Sequence, residues 1–234
     1  ERIKSPGGFP LGLEDQLVAL VSGGLDSPVA AWLAMRRGVI PIFVVMDPHA
    51  DKKGDRTKAS HVREKALKNI QILVEYTKGA VDAPTVYVVP YGSVLDVFIE
   101  LGSRRGITCL LCKRFMYRVA EHIAFIHNAQ GIVTGEILGE QASQTAKNLS
   151  VLDSAVMMPV HRPLFGFDKD EVVALTSRIG TRPIADIASD PCRGVPNHPA
   201  IRGDLIKIEK VEEKMDIKKY HRQAKAEYLH LRFM

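Results

Sequence analysis

At 234 residues, with 46% apolar and 25% charged residues, the chain has an ordinary globular composition and enough length for one substantial core, or one core with a small appendage. No apolar run reaches the roughly 18 residues that span a bilayer, no signal peptide is visible at Glu1–Lys4, and three cysteines are the wrong number for a paired disulfide framework. The composition points to a cytoplasmic protein, no membrane partner and a redox or metal use for its thiols, while the net charge of +5 permits a polyanionic partner without requiring one.

Residues 1–14, dense in Pro and Gly, read as a linker, either from an upstream domain or as an arm on the surface. The apolar run Val18-Ala19-Leu20-Val21 reads as a buried strand that ends in Ser22-Gly23-Gly24. A helical pattern starts at Asp26, Ser27 and Pro28 and continues through Val29, Ala30, Trp32, Leu33 and Met35. The two glycines therefore lie between a strand end and a helix N-terminus. Glycine allows a sharp turn and close approach of a phosphate, and the helix end offers free N–H groups to an anion. A plain strand–helix turn could also use Gly-Gly, but Ser-Gly-Gly-Leu-Asp-Ser is a longer pattern, and its spacing is not that of a Walker A loop.

Further strands are predicted over 39–46, apolar on both faces as in a covered parallel sheet, and over 85–90, 131–134 and 156–159. Helices are predicted over 60–77, 93–101, 109–128 with Thr108 as cap, 138–149, and 168–179 with a stop at Gly180. Strands alternating with helices give an α/β fold, a doubly wound parallel sheet with helices on both faces, whose ligands bind beyond the carboxyl ends of the strands. Residues 15–199 form this unit. Residues 200–234 read as a charged helical extension in which Ile208, Val211, Met215 and Ile217 keep helical spacing. Its basic stretch Lys218–Arg222 suits either a solvated face or RNA phosphates.

Cys109, Cys112 and Lys113 share one helix face near an N-terminus, where the helix end and the cation favour thiolate. Cys192 lies in a turn beside Arg193. Three thiolates could hold an iron–sulfur cluster, or zinc with His161 or His198 as fourth ligand. They could equally form a redox disulfide or carry a persulfide. The plainest reading is two small buried side chains and a loop cysteine. His49, His61 and His198 are read as surface histidines.

Ser22-Gly23-Gly24-Leu25-Asp26-Ser27 resembles the pyrophosphate (PP) loop of ATP pyrophosphatases. Together with Cys112-Lys113-Arg114-Phe115-Met116-Tyr117-Arg118, Thr134-Gly135-Glu136 through Ser143-Gln144-Thr145, and Arg162-Pro163-Leu164, it resembles the ThiI family of tRNA sulfurtransferases, the 4-thiouridine synthetases. The resemblance runs from the Pro-Gly stretch to about Pro199 and covers the family's PP-loop part. It implies an upstream THUMP-type RNA-binding region, tRNA as partner, a separate sulfur donor, ATP and Mg²⁺ as cofactors, and a homodimer. The cysteine arrangement resembles the archaeal type, in which three cysteines are taken to ligate an iron–sulfur cluster. In bacterial relatives a cysteine matching Cys192 accepts the sulfur.

The resemblance implies that ATP is met by Leu20, Val21, Ser22, Gly23, Gly24, Asp26, Ser27, Val45, Met46, Lys113, Gly135 and Gln144. Asp26 would orient the loop or Mg²⁺, Lys113 would face the phosphates, and Cys109, Cys112 and Cys192 would handle sulfur. The alternatives are another PP-loop adenylating enzyme, such as a different tRNA thiolase or an amidotransferase, and an ATP-binding module without catalysis.

Overall fold

The computed structural model describes residues 7–48, 61–80, 84–188 and 191–215, and the backbone of 229–232. Its elements alternate as the sequence pattern predicts: β1 (Gln16–Leu20), α1 (Asp26–Met35), β2 (Ile40–Asp47), α2 (His61–Glu75), β3 (Thr85–Pro90), α3 (Gly92–Gly102), α4 (Thr108–His127) and β4 (Ile132–Val133). There follow α5 (Ala146–Asp153), β5 (Val160–His161), α6 (Lys169–Ile179), α7 (Arg182–Ala185), α8 (Leu205–Lys214) and β6 (Leu229–Arg232). The strand order is β5-β4-β1-β2-β3-β6, parallel throughout except that β6 runs antiparallel to β3 at the edge.

Successive strand side chains point to opposite faces, and the core divides accordingly. Val18, Ile42, Val44 and Val89 pack on one face against α3, α4, α5 and α8. Ala19, Phe43, Val45, Val86 and Val88 pack on the other against α1, α2 and α6. Helices thus cover both faces, and the strand order reverses around β1, whose carboxyl end carries the Ser-Gly-Gly turn.

Four local expectations are corrected. The strand expected over 156–159 lies instead at Val160–His161, because the N–H groups of Met157 and Met158 donate to Glu121 Oε1 at 2.6 and 3.1 Å rather than to a ladder. The helix expected over 138–149 begins only at Ala146. Gly139 has φ +82°, a left-handed conformation that breaks a helix, and Thr145 is extended and caps the new start by accepting from the Asn148 N–H. Thr108 is the first residue of α4 rather than its cap; its buried hydroxyl has no hydrogen-bond partner among the described residues. Residues 200–234 are not simply helical, because β6 extends the sheet. Ile217 and Lys218–Arg222 lie outside the described residues.

The C-terminal segment is built into the fold. Asn148 accepts from the Gly203 N–H and donates to the Ala200 carbonyl at 2.8 Å. The Glu212 carboxylate receives two guanidinium groups, Arg114 at 2.8 Å to each oxygen and Arg118 at 2.8 and 2.9 Å. Arg114 is 1% exposed, and this pairing compensates its buried charge. Burial opposes the charge of Glu212, but the hydrogen bonds and charges of the two arginines outweigh it and hold its carboxyl below the usual 4.5.

Glu212→Ala would leave a buried guanidinium uncompensated, at a cost of about 3–5 kcal/mol and a Tm lower by roughly 10 °C, readable by thermal melts at neutral pH. The lowered folded pKa means that this stabilisation is complete above pH 4.5 and is lost as pH falls through the folded value. The variant should therefore lose less stability than the parent between pH 5 and the acid limit, an interval to be measured by melts at stepped pH.

Candidate active site

Beyond the carboxyl ends of β1 and β2 lies a cavity of about 350 Å³. Leu20, Val21 and Ser22 line it from the first strand and its turn, Val44 and Met46 from β2, Thr108, Cys109, Cys112 and Lys113 from the start of α4, and Cys192 from the loop after α7. Ser22, at the head of the turn, and all three thiols therefore open on one space.

The turn is held by side-chain hydrogen bonds and tight packing. The Ser22 N–H donates to Ser27 Oγ at 2.8 Å, the two hydroxyls lie 3.0 Å apart, and the Gly24 N–H donates to Ser22 Oγ at 3.2 Å. Asn69 of α2 donates to the Ser22 carbonyl at 3.0 Å. A Cβ on Gly23 would come within 2.5 Å of Lys65 Cβ, and one on Gly135 within 2.6 Å of the Ser27 nitrogen. These two glycines let α2 and the end of β4 close on the turn. A Cβ on Gly24 would meet nothing nearer than Ser22 Oγ at 3.5 Å, so Gly24 leaves space for a ligand atom. Asp26 is paired with Lys169, whose Nζ lies 2.9 Å from its carboxylate.

Behind the cavity Glu136 is a buried hub. It accepts from Tyr117 at 2.8 Å, from Lys113 at 3.3 Å, from Arg162 at 3.2 Å and from the Thr134 hydroxyl. Burial alone would raise its pKa; Lys113, Thr134, Tyr117 and Arg162 outweigh that and hold the carboxyl below its usual range. The loop after α7 is docked by Arg193, which donates to the Gly92 carbonyl at 3.0 Å and pairs with Asp96, and by Gly194, packed against Leu95. That docking carries the exposed Cys192 to the cavity.

The structure brings together Leu20, Val21, Ser22, Met46, Lys113, Cys109, Cys112 and Cys192 as cavity lining. Gly23, Gly24, Asp26 and Ser27 belong to the adjoining turn. Val45 is corrected: its side chain packs in the opposite core layer with Phe43 and Val133, as strand alternation requires once Val44 and Met46 face the cavity. Gly135 acts by its lack of a side chain against Ser27, and Gln144 is buried beside the site, with an Oε1 that has no partner among the described residues. His49 lies outside the described residues. His61 and His198 are exposed, and His161 faces a separate depression with Glu14, Arg37 and Phe167, so neither His161 nor His198 completes a zinc site with the thiols. Glu136, Lys169, Glu140 and Tyr91 were not singled out by the sequence patterns; only the place of Glu136 and Glu140 between Thr134 and Gln144 hinted at them.

The expected thiolate character is also corrected. Burial pushes Cys109 up, with Cys192 adding to the rise and Lys113 opposing it. Burial pushes Cys112 up to about 12, against a hydrogen bond with Tyr91 3.7 Å away. Desolvation therefore outweighs the lysine at both thiols. Among the described residues no group of three or more His, Cys, Asp or Glu side chains is arranged to hold a metal ion. The glycine-lined turn, with its hydroxyls and open space at Gly24, does suit a phosphate group.

The family model described as "Thiamine biosynthesis protein (ThiI)" matches residues 12–217. A probable tRNA sulfurtransferase of Methanosarcina mazei is 41% identical over 221 residues, 93% of this chain and 51% of that protein. One from Thermococcus kodakarensis is 38% identical over 215 residues, 90% of this chain and 53% of that protein. The chain thus spans about half the length of these curated relatives. Among solved structures, a 4-thiouridine synthetase in complex with RNA and bound ATP superposes with a TM-score of 0.88 at 30% identity, covering 100% of this chain and 59% of that one.

The three thiols should separate in alkylation. With iodoacetamide at pH 8, followed by peptide mass spectrometry, Cys192 is expected to label first and Cys112 last. Each unit of pKa rise removes about tenfold of thiolate, so Cys112 should trail an ordinary exposed thiol by about a hundredfold or more.

Proposed function

The chain belongs to the ThiI family, and on that premise we propose that it activates the 4-oxo group of a tRNA uridine with ATP and replaces it with sulfur. The oxygen at C4 is a poor leaving group. Its attack on the α-phosphate of ATP forms an adenylated base and expels pyrophosphate; a sulfur nucleophile then adds at C4 and AMP departs. The observation that supports this reading is that Ser22, the first residue of the Ser-Gly-Gly turn, lines one cavity together with all three thiols. The relatives named as tRNA sulfurtransferases, and the solved synthetase holding both RNA and ATP, support the choice of substrate and nucleotide.

Each residue then has a role set by its surroundings. The N–H groups of the turn and the hydroxyls of Ser22 and Ser27 cradle the departing pyrophosphate. Leu20 and Met46 give the nucleotide an apolar wall, Val21 meets the cavity at the strand end while its side chain packs in the opposite layer, Gly135 keeps the turn closed and Gln144 offers its spare oxygen. Lys113, held at the cavity wall by Glu136, faces the charge that develops on the phosphates, where a preorganised cation is most effective. Mg²⁺ would add charge neutralisation at the phosphates, with Asp26 as its nearest carboxylate in the turn.

Cys192, exposed at the cavity, is the reachable acceptor for sulfur from a separate donor. Attack of a Cys192 persulfide on C4 would leave a mixed disulfide with the RNA. The thiol of Cys109 or Cys112 can cleave it, releasing 4-thiouridine and leaving a protein disulfide for an external dithiol to reduce. No step is assigned to an iron–sulfur cluster, because the thiols as positioned do not form its ligand set. An upstream RNA-binding region and a homodimer remain part of the proposal by family resemblance.

The test is to supply tRNA, ATP, Mg²⁺ and a persulfide donor, and to follow pyrophosphate release and 4-thiouridine separately. Cys192→Ser should keep RNA-dependent pyrophosphate release and lose persulfide-dependent thiolation to background. Lys113→Met should reduce pyrophosphate release by about 100-fold or more. Pyrophosphate release indifferent to both RNA and Lys113 would overturn the reading.

A further inference from the structure

Apart from the cavity that holds the thiols, a depression of about 400 Å³ opens where the turn between α3 and α4 meets the start of α8. Its floor is apolar, from Ile107 and Ile208, and its rim is charged, from Arg105, Arg202, Lys207 and Asp204. The backbone that carries the two arginines is tied down at successive points. The buried Asn148 side chain donates to the Ala200 carbonyl at 2.8 Å and accepts from the Gly203 N–H at 2.6 Å, and the Thr145 hydroxyl donates to the Ile201 carbonyl at 2.7 Å. Arg202 thus stands in a loop held on both sides. The Ala200 N–H donates to the Gly106 carbonyl at 2.9 Å, and Gly106 takes φ +69°, where a Cβ would strike the His198 carbonyl. That contact joins the turn of Arg105 to the same loop. The held cations lack counter-charges. Asp204 is already committed: it accepts from the Lys207 N–H at 3.2 Å as the cap of α8, and its other oxygen lies 3.5 Å from the Lys207 ammonium. Arg105 gives one N–H to the Leu101 carbonyl at 3.1 Å, and neither arginine has an ion-pair partner among the described residues.

We propose that this depression, with the exposed lysines of α8 that lead away from it, binds RNA backbone phosphates beside the uridine held in the cavity. This rests on the tRNA reading above and adds a surface to it. Lys207, Lys210 and Lys214 are spaced by three and four residues and share one exposed stripe, while Glu209 and Glu213 lie elsewhere around the helix. Cations strung from a depression along a helix match a linear polyanion better than a single nucleotide, whose charges would call for cations gathered round one point. The depression also borders the reaction site. Ile107 lines it while Thr108 and Cys109, next on the same helix, line the cavity, and the loop that gives Cys192 to the cavity gives Ala200 to the depression. Phosphate contacts there would set the register of the strand without reading its bases. Because the arginine loops are already fixed, little ordering is left to be done when the RNA arrives.

The experiment measures the affinity of the full chain for unmodified tRNA by fluorescence anisotropy between about 50 and about 200 mM KCl, with thermal melts to confirm folding. Arg105→Gln and Arg202→Gln should each weaken binding and each reduce the slope of log affinity against log salt by about one, and the double variant by about two. Lys78→Gln removes one charge from the turn after α2, before the amino end of β3 and so at the other end of the sheet, and should keep the parent slope. A slope unchanged in both arginine variants, or reduced equally by Lys78→Gln, overturns the proposal, as does a parent chain that binds no tRNA at the lowest salt. RNA-dependent pyrophosphate release is followed in the same preparations. Where it persists while the arginine slopes stay put, only this surface is wrong; where it is absent along with binding, the tRNA reading falls too.

Discussion

One buried carboxylate, Glu136, fixes the relation between the two halves of the site. It follows Gly135, which packs on Ser27 of the Ser-Gly-Gly turn, and it receives Lys113 and Tyr117 from the helix that carries Cys109 and Cys112. Arg162 reaches it from the stretch after β5 and also pairs with Asp153. A lone carboxylate this deeply buried would take up a proton; with two cations and two hydroxyls around it, it stays charged. The same contacts that make its charge tolerable set where Lys113 points and how far the thiol helix stands from the turn.

Around that hub the site is assembled by close backbone approach rather than by large side chains. Gly23 admits α2, Gly135 admits the turn, and Gly194 lets the Cys192 loop lie on α3. Each contact joins segments far apart in the chain, so the cavity exists only when the sheet order β4-β1-β2 is complete. The C-terminal segment contributes through Arg114, next in sequence to Lys113. Its pairing with Glu212 anchors the same helix from the opposite side.

Much of this was legible in the chain itself, because parallel strands covered on both faces leave long apolar runs and because Ser-Gly-Gly-x-Asp-Ser marks a turn at a strand end. The elements up to β4 follow their periodicity closely. The pattern failed where a distant side chain took over the backbone, as Glu121 does at Met157 and Met158, and where a left-handed glycine, Gly139, broke a helical spacing. Among site residues, Cys109, Cys112, Lys113 and Cys192 could be placed together, since helix spacing and motif carry that information. Val45, expected beside adenine with Met46, turns its side chain to the opposite layer, because neighbouring strand residues face opposite ways. The partners Glu136 and Lys169 were invisible as such because ion pairing across 23 and 143 residues leaves no local pattern. Nor could spacing reveal that burial would raise the thiols' pKa rather than lower it.

That the cavity lined by Ser22 and the three thiols adjoins the Ser-Gly-Gly turn is the feature from which the proposed chemistry follows. A crystal structure of the chain with a non-hydrolysable ATP analogue tests it most directly. The account requires the phosphates in the Ser22–Ser27 turn, with the α-phosphate facing the cavity lined by Cys109, Cys112 and Cys192. Nucleotide bound instead in the depression lined by Glu14, Arg37 and His161, or held at the turn with its α-phosphate turned away from all three sulfurs, would contradict it.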